Sequence, residues 1–150
     1  MKQAIIEMLA AFLACFSFSI IYRTRVNRLF WCGFCGGITW GVCRLAEAFI
    51  GNLFIDFMIA AAFGTVLSEI LARLTKSPAT IYLIPALLPM VPGGSLYYTT
   101  FAIVTGNPVN TKYYFKRTAL AALGIAVGLV IVTVFNYYWK EIKFRKKALH

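Results

Sequence analysis

The stretch Pro85-Ala-Leu-Leu-Pro-Met-Val-Pro-Gly-Gly-Ser-Leu-Tyr-Tyr98 lies inside an otherwise apolar run from 81 to 104. A helix in lipid must satisfy its own backbone N–H and C=O groups, and three prolines with a glycine pair interrupt that ladder. A helix broken near Val91 to Gly94 is expected. It either crosses the bilayer, in the simplest form as a proline kink, or enters and returns. The choice decides the fold, because it sets whether the chain crosses an odd or an even number of times.

The residues on either side establish the solvent. Apolar types make up 61% of the 150 positions and only 13% are charged, whereas a soluble domain is about half apolar and about a quarter charged. That composition belongs to the membrane class. With about 20 apolar residues needed per span, five candidates emerge at 3–22, 29–50, 52–72, 81–104 and 118–139. The breaks between them are the basic run Arg23 to Arg28, the pair Gly51 and Asn52, the run Arg73 to Pro78, and a longer loop from Thr105 to Arg117. A cleavable leader is not expected from Ala4 to Tyr22, because Glu7 interrupts it and the following sequence is equally apolar.

Charge chooses between the two readings of the fourth segment. If it crosses, Arg23, Arg25, Arg28, Arg73, Lys76 and the five basic residues of the 140–150 tail share one side. Lys2, Lys112, Lys116 and Arg117 take the other, a ratio of ten to four. If it returns, the ratio falls to eight to six. The positive-inside rule favours crossing. The expectation is an all-α integral membrane protein with five transmembrane helices, the N-terminus outside and a basic tail in the cytoplasm. The net charge of +10 sits in short clusters between apolar runs rather than on one face, which argues against a nucleic-acid partner and for contact with lipid headgroups.

Small residues recur every four positions as Gly33, Gly37 and Gly41, as Ala60, Gly64 and Ser68, and as Gly124 and Gly128. Such faces let helix backbones approach closely, and some are expected to meet a partner subunit or a second copy. Five ionisable residues, Glu7, Arg44, Glu47, Asp56 and Glu69, fall within apolar segments and need compensation. Arg44 can pair with Glu47 three residues on, and Glu69 with Arg73. Glu7 reads as interfacial. Asp56 either reaches the outer interface or takes part in substrate or proton passage.

Cys32 and Cys35 have the spacing of a redox motif, so a membrane thiol-disulfide oxidoreductase is the competing class. Their setting in an apolar helix on the reducing side argues for small packing residues instead. The only histidine is His150, no metal site is expected, and neither a hydrolase nucleophile nor a cofactor motif is visible.

The segment Phe57 to Thr65, the pair Ser77-Pro78 and the run Ile84 to Gly94 together resemble the small, YjjB-like subunit of the threonine/serine exporter family. The resemblance extends over nearly the whole chain, including Arg28 to Trp31 and the glycine-rich second segment. It implies a multi-pass protein of the bacterial inner (plasma) membrane. It also implies a larger partner subunit, fused in some relatives to give ten spans, and export of threonine and serine or of small dicarboxylates such as succinate, driven by the proton gradient. The family core carries over onto Pro85, Pro89, Pro92, Gly93 and Gly94, with Ser95 and Tyr97 following. Two five-span halves in one chain would have opposite orientations, the condition for an inverted-repeat transporter. On this reading the broken segment offers backbone N–H groups to a substrate carboxylate, Arg44 adds positive charge, and Asp56 or Glu47 takes up the coupling proton. No catalytic residue is expected.

Overall fold

The computed structural model describes residues 2–148, without the side chains of 140, 141 and 143–148. Most of the basic tail's side chains, and His150, therefore lie outside the described residues. Every regular element described is helical: α1 Lys2–Ile21, α2 Val26–Phe49, α3 Leu53–Leu74, α4 Thr80–Leu87, a 3-10 turn Leu88–Met90, α5 Gly93–Val104 and α6 Pro108–Ala148. Four of these helices are long and apolar enough to cross a membrane, and α4 with α5 makes a fifth when taken as one span bent by 49°.

Apart from the break between α4 and α5, each connection between helices contains one residue in the left-handed region. Glycine fills it at Gly51 (φ +68) and Gly106 (φ +67), where a Cβ would be strained. Arg23 (φ 52) and Lys76 (φ 50) fill it at the other two turns. Those turns keep a positive charge where glycine would be less strained. They also lie together, since Arg28 Nη2 donates to the carbonyl of Thr75 at 3.5 Å.

The packing of α6 bears on the course of the fourth segment. The backbone of α6 at Gly124 lies against Phe54, that at Gly128 against Met58, and Asn136 accepts from Arg73 at 3.4 Å. Residue numbers rise together along both helices, so α3 and α6 are parallel. The chain must therefore return between them, and α4 with α5 provides that return. A bend of 49° leaves the chain running forward, whereas re-entry needs a near reversal. The bundle thus holds four candidate membrane spans, and five when the bent pair α4–α5 counts as one. The first turns of α1 lie beside the α2–α3 turn, as Glu7 touches Arg44, and α6 leaves at the opposite end.

Two expectations from the sequence are corrected. Helix α6 begins at Pro108 rather than near 118. Asn107 accepts from the N–H of Asn110 at 3.1 Å, and proline occupies the first helical position, where its missing N–H costs nothing. The polar run up to Arg117 was read as loop because hydropathy does not register a helix that continues out of the lipid. At about 1.5 Å per residue, the 41 residues of α6 greatly exceed the bilayer core of about 30 Å.

The second correction concerns the small-residue faces. Gly33, Gly37 and Gly41 receive Phe12 and Met8 of α1, Gly64 receives Thr39 of α2, and Gly124 and Gly128 receive α3. All three faces are used within the chain, because close helix approach in lipid depends on backbone contact. They therefore give no argument for a partner. The core is correspondingly built of small side chains. Cys32, Cys35, Leu71, Ala72, Tyr82 and Ala86 form one buried cluster, and Cys43, Ala60, Ala61 and Met90 form another.

Candidate functional site

The break between α4 and α5 opens onto a cavity of about 270 Å3 at the N-terminal end of the bundle. The local chemistry explains its shape. Val91 and Pro92 carry the chain out of helical geometry, Gly93 N bonds back to Val91 O at 2.7 Å, and α5 starts at Gly93 with a proline as its cap and no side-chain capping bond. The first N–H groups of a helix have no internal partner and carry partial positive charge. A Cβ on Gly93 or Gly94 would meet no atom within 4 Å, so both face open space.

Opposite this helix start, α2 and α3 contribute the ionisable groups. Arg44, Glu47 and Asp56 line the cavity together with Pro89, Pro92, Gly93, Gly94 and Ser95. The sequence expectation thus brings eight of its residues to one place. Pro85 and Tyr97 do not join them. Pro85 lines a separate cavity between α1 and α4, and Tyr97 is 64% exposed on α5, stacked on Phe101 at 6.4 Å.

Asp56 is the unusual member. It is 2% exposed, and its Oδ1 has no hydrogen-bond partner. It sits in the first turn of α3, where the helix dipole favours a negative charge. Asn52 caps that turn by accepting from Phe54 N at 3.2 Å. A buried polar atom without a partner is costly, and this one points to a site built to receive a donor.

Arg44, by contrast, is already occupied. It pairs with Glu47 on its own helix, and its Nε lies 3.0 Å from Glu7 Oε2 at an angle that makes no hydrogen bond. Trp40 Nε1 donates to the same Glu7 oxygen at 3.3 Å. Glu7 therefore touches two residues, Arg44 and Trp40, that line the cavity.

Sequence reasoning missed Arg117. Read as part of an external loop, it instead lies on α6 and lines both the main cavity and a vestibule of about 370 Å3 shared with Glu47, Asp56, Tyr113 and Lys116. Its guanidinium donates to Tyr113 Oη at 3.1 Å and lies 5.8 Å from that ring's centre. Among the described residues no carboxylate pairs with it. The missed signal was the Asn107-Pro108 helix start, which extends α6 and carries Arg117 to the mouth of the cavity.

Residues 7–135 match the family model described as Threonine/Serine exporter, ThrE. The chain belongs to the threonine/serine exporter family. No curated protein and no solved structure matches it. Membership makes this exporter-family chain a multi-pass membrane protein of a transporter type that handles a small-molecule substrate. The family match covers every residue that lines the cavity, from Trp40 on α2 to Ala121 on α6.

Proposed function

We propose that the chain is the small membrane subunit of a proton-coupled secondary exporter for threonine and serine, working by alternating access with a larger subunit. The observation that carries this reading is the pairing of opposite needs in one cavity. Asp56 presents a buried carboxylate oxygen with no partner, and the uncapped start of α5 presents N–H groups. An α-amino acid is a zwitterion that answers both, with its ammonium on Asp56 and its carboxylate on α5. Arg117 at the mouth supplies the free positive charge that Arg44, held by Glu7 and Glu47, does not.

The same arrangement suggests how a proton is coupled. Asp56 can hold either a proton or the substrate ammonium, so the two compete for one oxygen, as exchange requires. Succinate offers two carboxylates and no ammonium, and it would bring negative charge to Asp56 and Glu47, so the dicarboxylate reading is second. The thiol-disulfide reading has less support. Cys32 and Cys35 are fully buried, and the Cys32 thiol donates to the carbonyl of Ile81 at 3.5 Å. For orientation, the proposal keeps the N-terminus outside and the basic tail in the cytoplasm of a bacterial inner membrane, as the positive-inside rule suggests.

The test is efflux from proteoliposomes containing this subunit with its larger partner, loaded with labelled threonine, serine or succinate under an imposed pH gradient. Gradient-dependent efflux of the two amino acids is expected. Efflux of succinate in preference to both would overturn the assignment.

A further inference from the structure

The proline spacing leaves three carbonyls of the fourth crossing without their usual partner. In an α-helix the carbonyl of residue i accepts from the N–H of residue i+4, and proline has none. Pro85, Pro89 and Pro92 thereby orphan the carbonyls of Ile81, Pro85 and Leu88. Each has found another donor. Leu88 O accepts from Val91 N at 3.3 Å within the 3-10 turn. Ile81 O accepts from the Cys32 thiol of α2 at 3.5 Å, and Pro85 O from the Cys15 thiol of α1 at 3.1 Å.

Both thiols are fully buried, and the neighbouring sequence makes room for them. A Cβ at Gly36 would collide with Cys15 Sγ and lie 3.0 Å from Pro85 O. Glycine on α2 is therefore what allows a side chain of α1 to reach α4. Elsewhere α1 meets α4 over far fewer residues than it meets α2, so this thiol is a main tie between the first and fourth crossings.

The tie sits between two cavities. Pro85 lines a cavity of about 170 Å3 at the opposite end of the bundle, with Ser19, Tyr22 and Thr80. Pro89 and Met90 line the candidate site. The stretch from Pro85 to Met90 separates the two, and Ala86 and Met90 within it are fully buried.

We infer that Cys15 and Cys32 are positioning residues of an inner gate, their thiols holding the proline-broken segment against α1 and α2 until α4 moves away and joins the two cavities. The inference rests on the transport reading above. Thiols suit this task because S–H···O bonds are weak. They satisfy orphaned carbonyls in a medium without water, yet they release them at low cost. A hydroxyl at the same place would hold more firmly, and alanine would leave the carbonyl unpaired.

The experiment uses the complete exporter in proteoliposomes. Threonine exchange by the unaltered protein is measured first, and N-ethylmaleimide labelling of Cys15 and Cys32 is then followed by peptide mass spectrometry with and without threonine on both sides. Labelling of both thiols should rise severalfold during exchange. Cys15→Ser should lower the maximal rate severalfold with an unchanged half-saturating concentration. Cys15→Ala should raise the labelling of Cys32 even without substrate. Unchanged labelling while exchange proceeds, or a wild-type maximal rate in Cys15→Ser, would overturn the gate and leave the transport reading standing. Absence of any amino-acid exchange by the unaltered protein would overturn both.

Discussion

Replacing Asp56 by Asn tests the site most directly, because the change keeps the shape of the side chain and removes only its charge. Asp56 is 2% exposed, and its Oδ1 has no hydrogen-bond partner within the protein, so a substrate ammonium would form a desolvated charge pair with it. Removing one member of such a pair costs about 2 to 5 kcal/mol. At about 1.4 kcal/mol per tenfold change, the half-saturating concentration of threonine should rise from about thirtyfold to a few thousandfold. Stability should move the other way, since a neutral amide is cheaper to bury than a carboxylate. The two opposed signs distinguish this mechanism from simple misfolding. The assays are concentration-dependent threonine efflux from proteoliposomes and the thermal midpoint of the empty complex, with Asp56→Glu expected to recover part of the affinity. An Asn variant with wild-type half-saturation and an unchanged response to the pH gradient would refute the role given to Asp56.

Three further outcomes follow from the same geometry. Gly93→Leu should insert and fold, since a Cβ there meets nothing within 4 Å, yet halt efflux by filling the cavity of about 270 Å3; efflux and membrane content measured together check this, with Gly93→Ala close to wild type. Gly128→Val should destabilise the fold by about 1 to 3 kcal/mol, because its Cβ would collide with the carbonyl of Met58; thermal unfolding in detergent reads the loss. Glu7→Gln should cost less than about 1 kcal/mol in the same measurement, as expected for a half-exposed ion pair, since Arg44 keeps Glu47 as a partner.

The candidate site was legible as a set of residue types more than as an arrangement. Prolines and glycines interrupt a helix wherever they occur, so the break at Val91 to Pro92 was readable from the chain alone. Arg44, Glu47 and Asp56 stood out because charge in an apolar run needs an explanation. Tyr97 looked equivalent to Ser95, two residues earlier, but the rotation of α5 turns it outward. Arg117 looked external until α6 proved to begin at Pro108. Pro85 belonged to the motif, yet the bend sent it to the other cavity.

Local and additive properties were determined by the sequence itself. Hydropathy gave five apolar segments, charge gave two unequal sets of turns, and missing N–H groups gave the break, because each depends only on neighbours along the chain. The tertiary structure decided what depends on residues far apart. The parallel course of α3 and α6 set the direction in which α4 and α5 run between them, internal packing consumed the small-residue faces, and the thiols of Cys15 and Cys32 became donors to carbonyls 70 and 49 residues away. The physical reason is helix phase: which face meets which neighbour is set by the packing of the whole bundle, and no single segment contains that information.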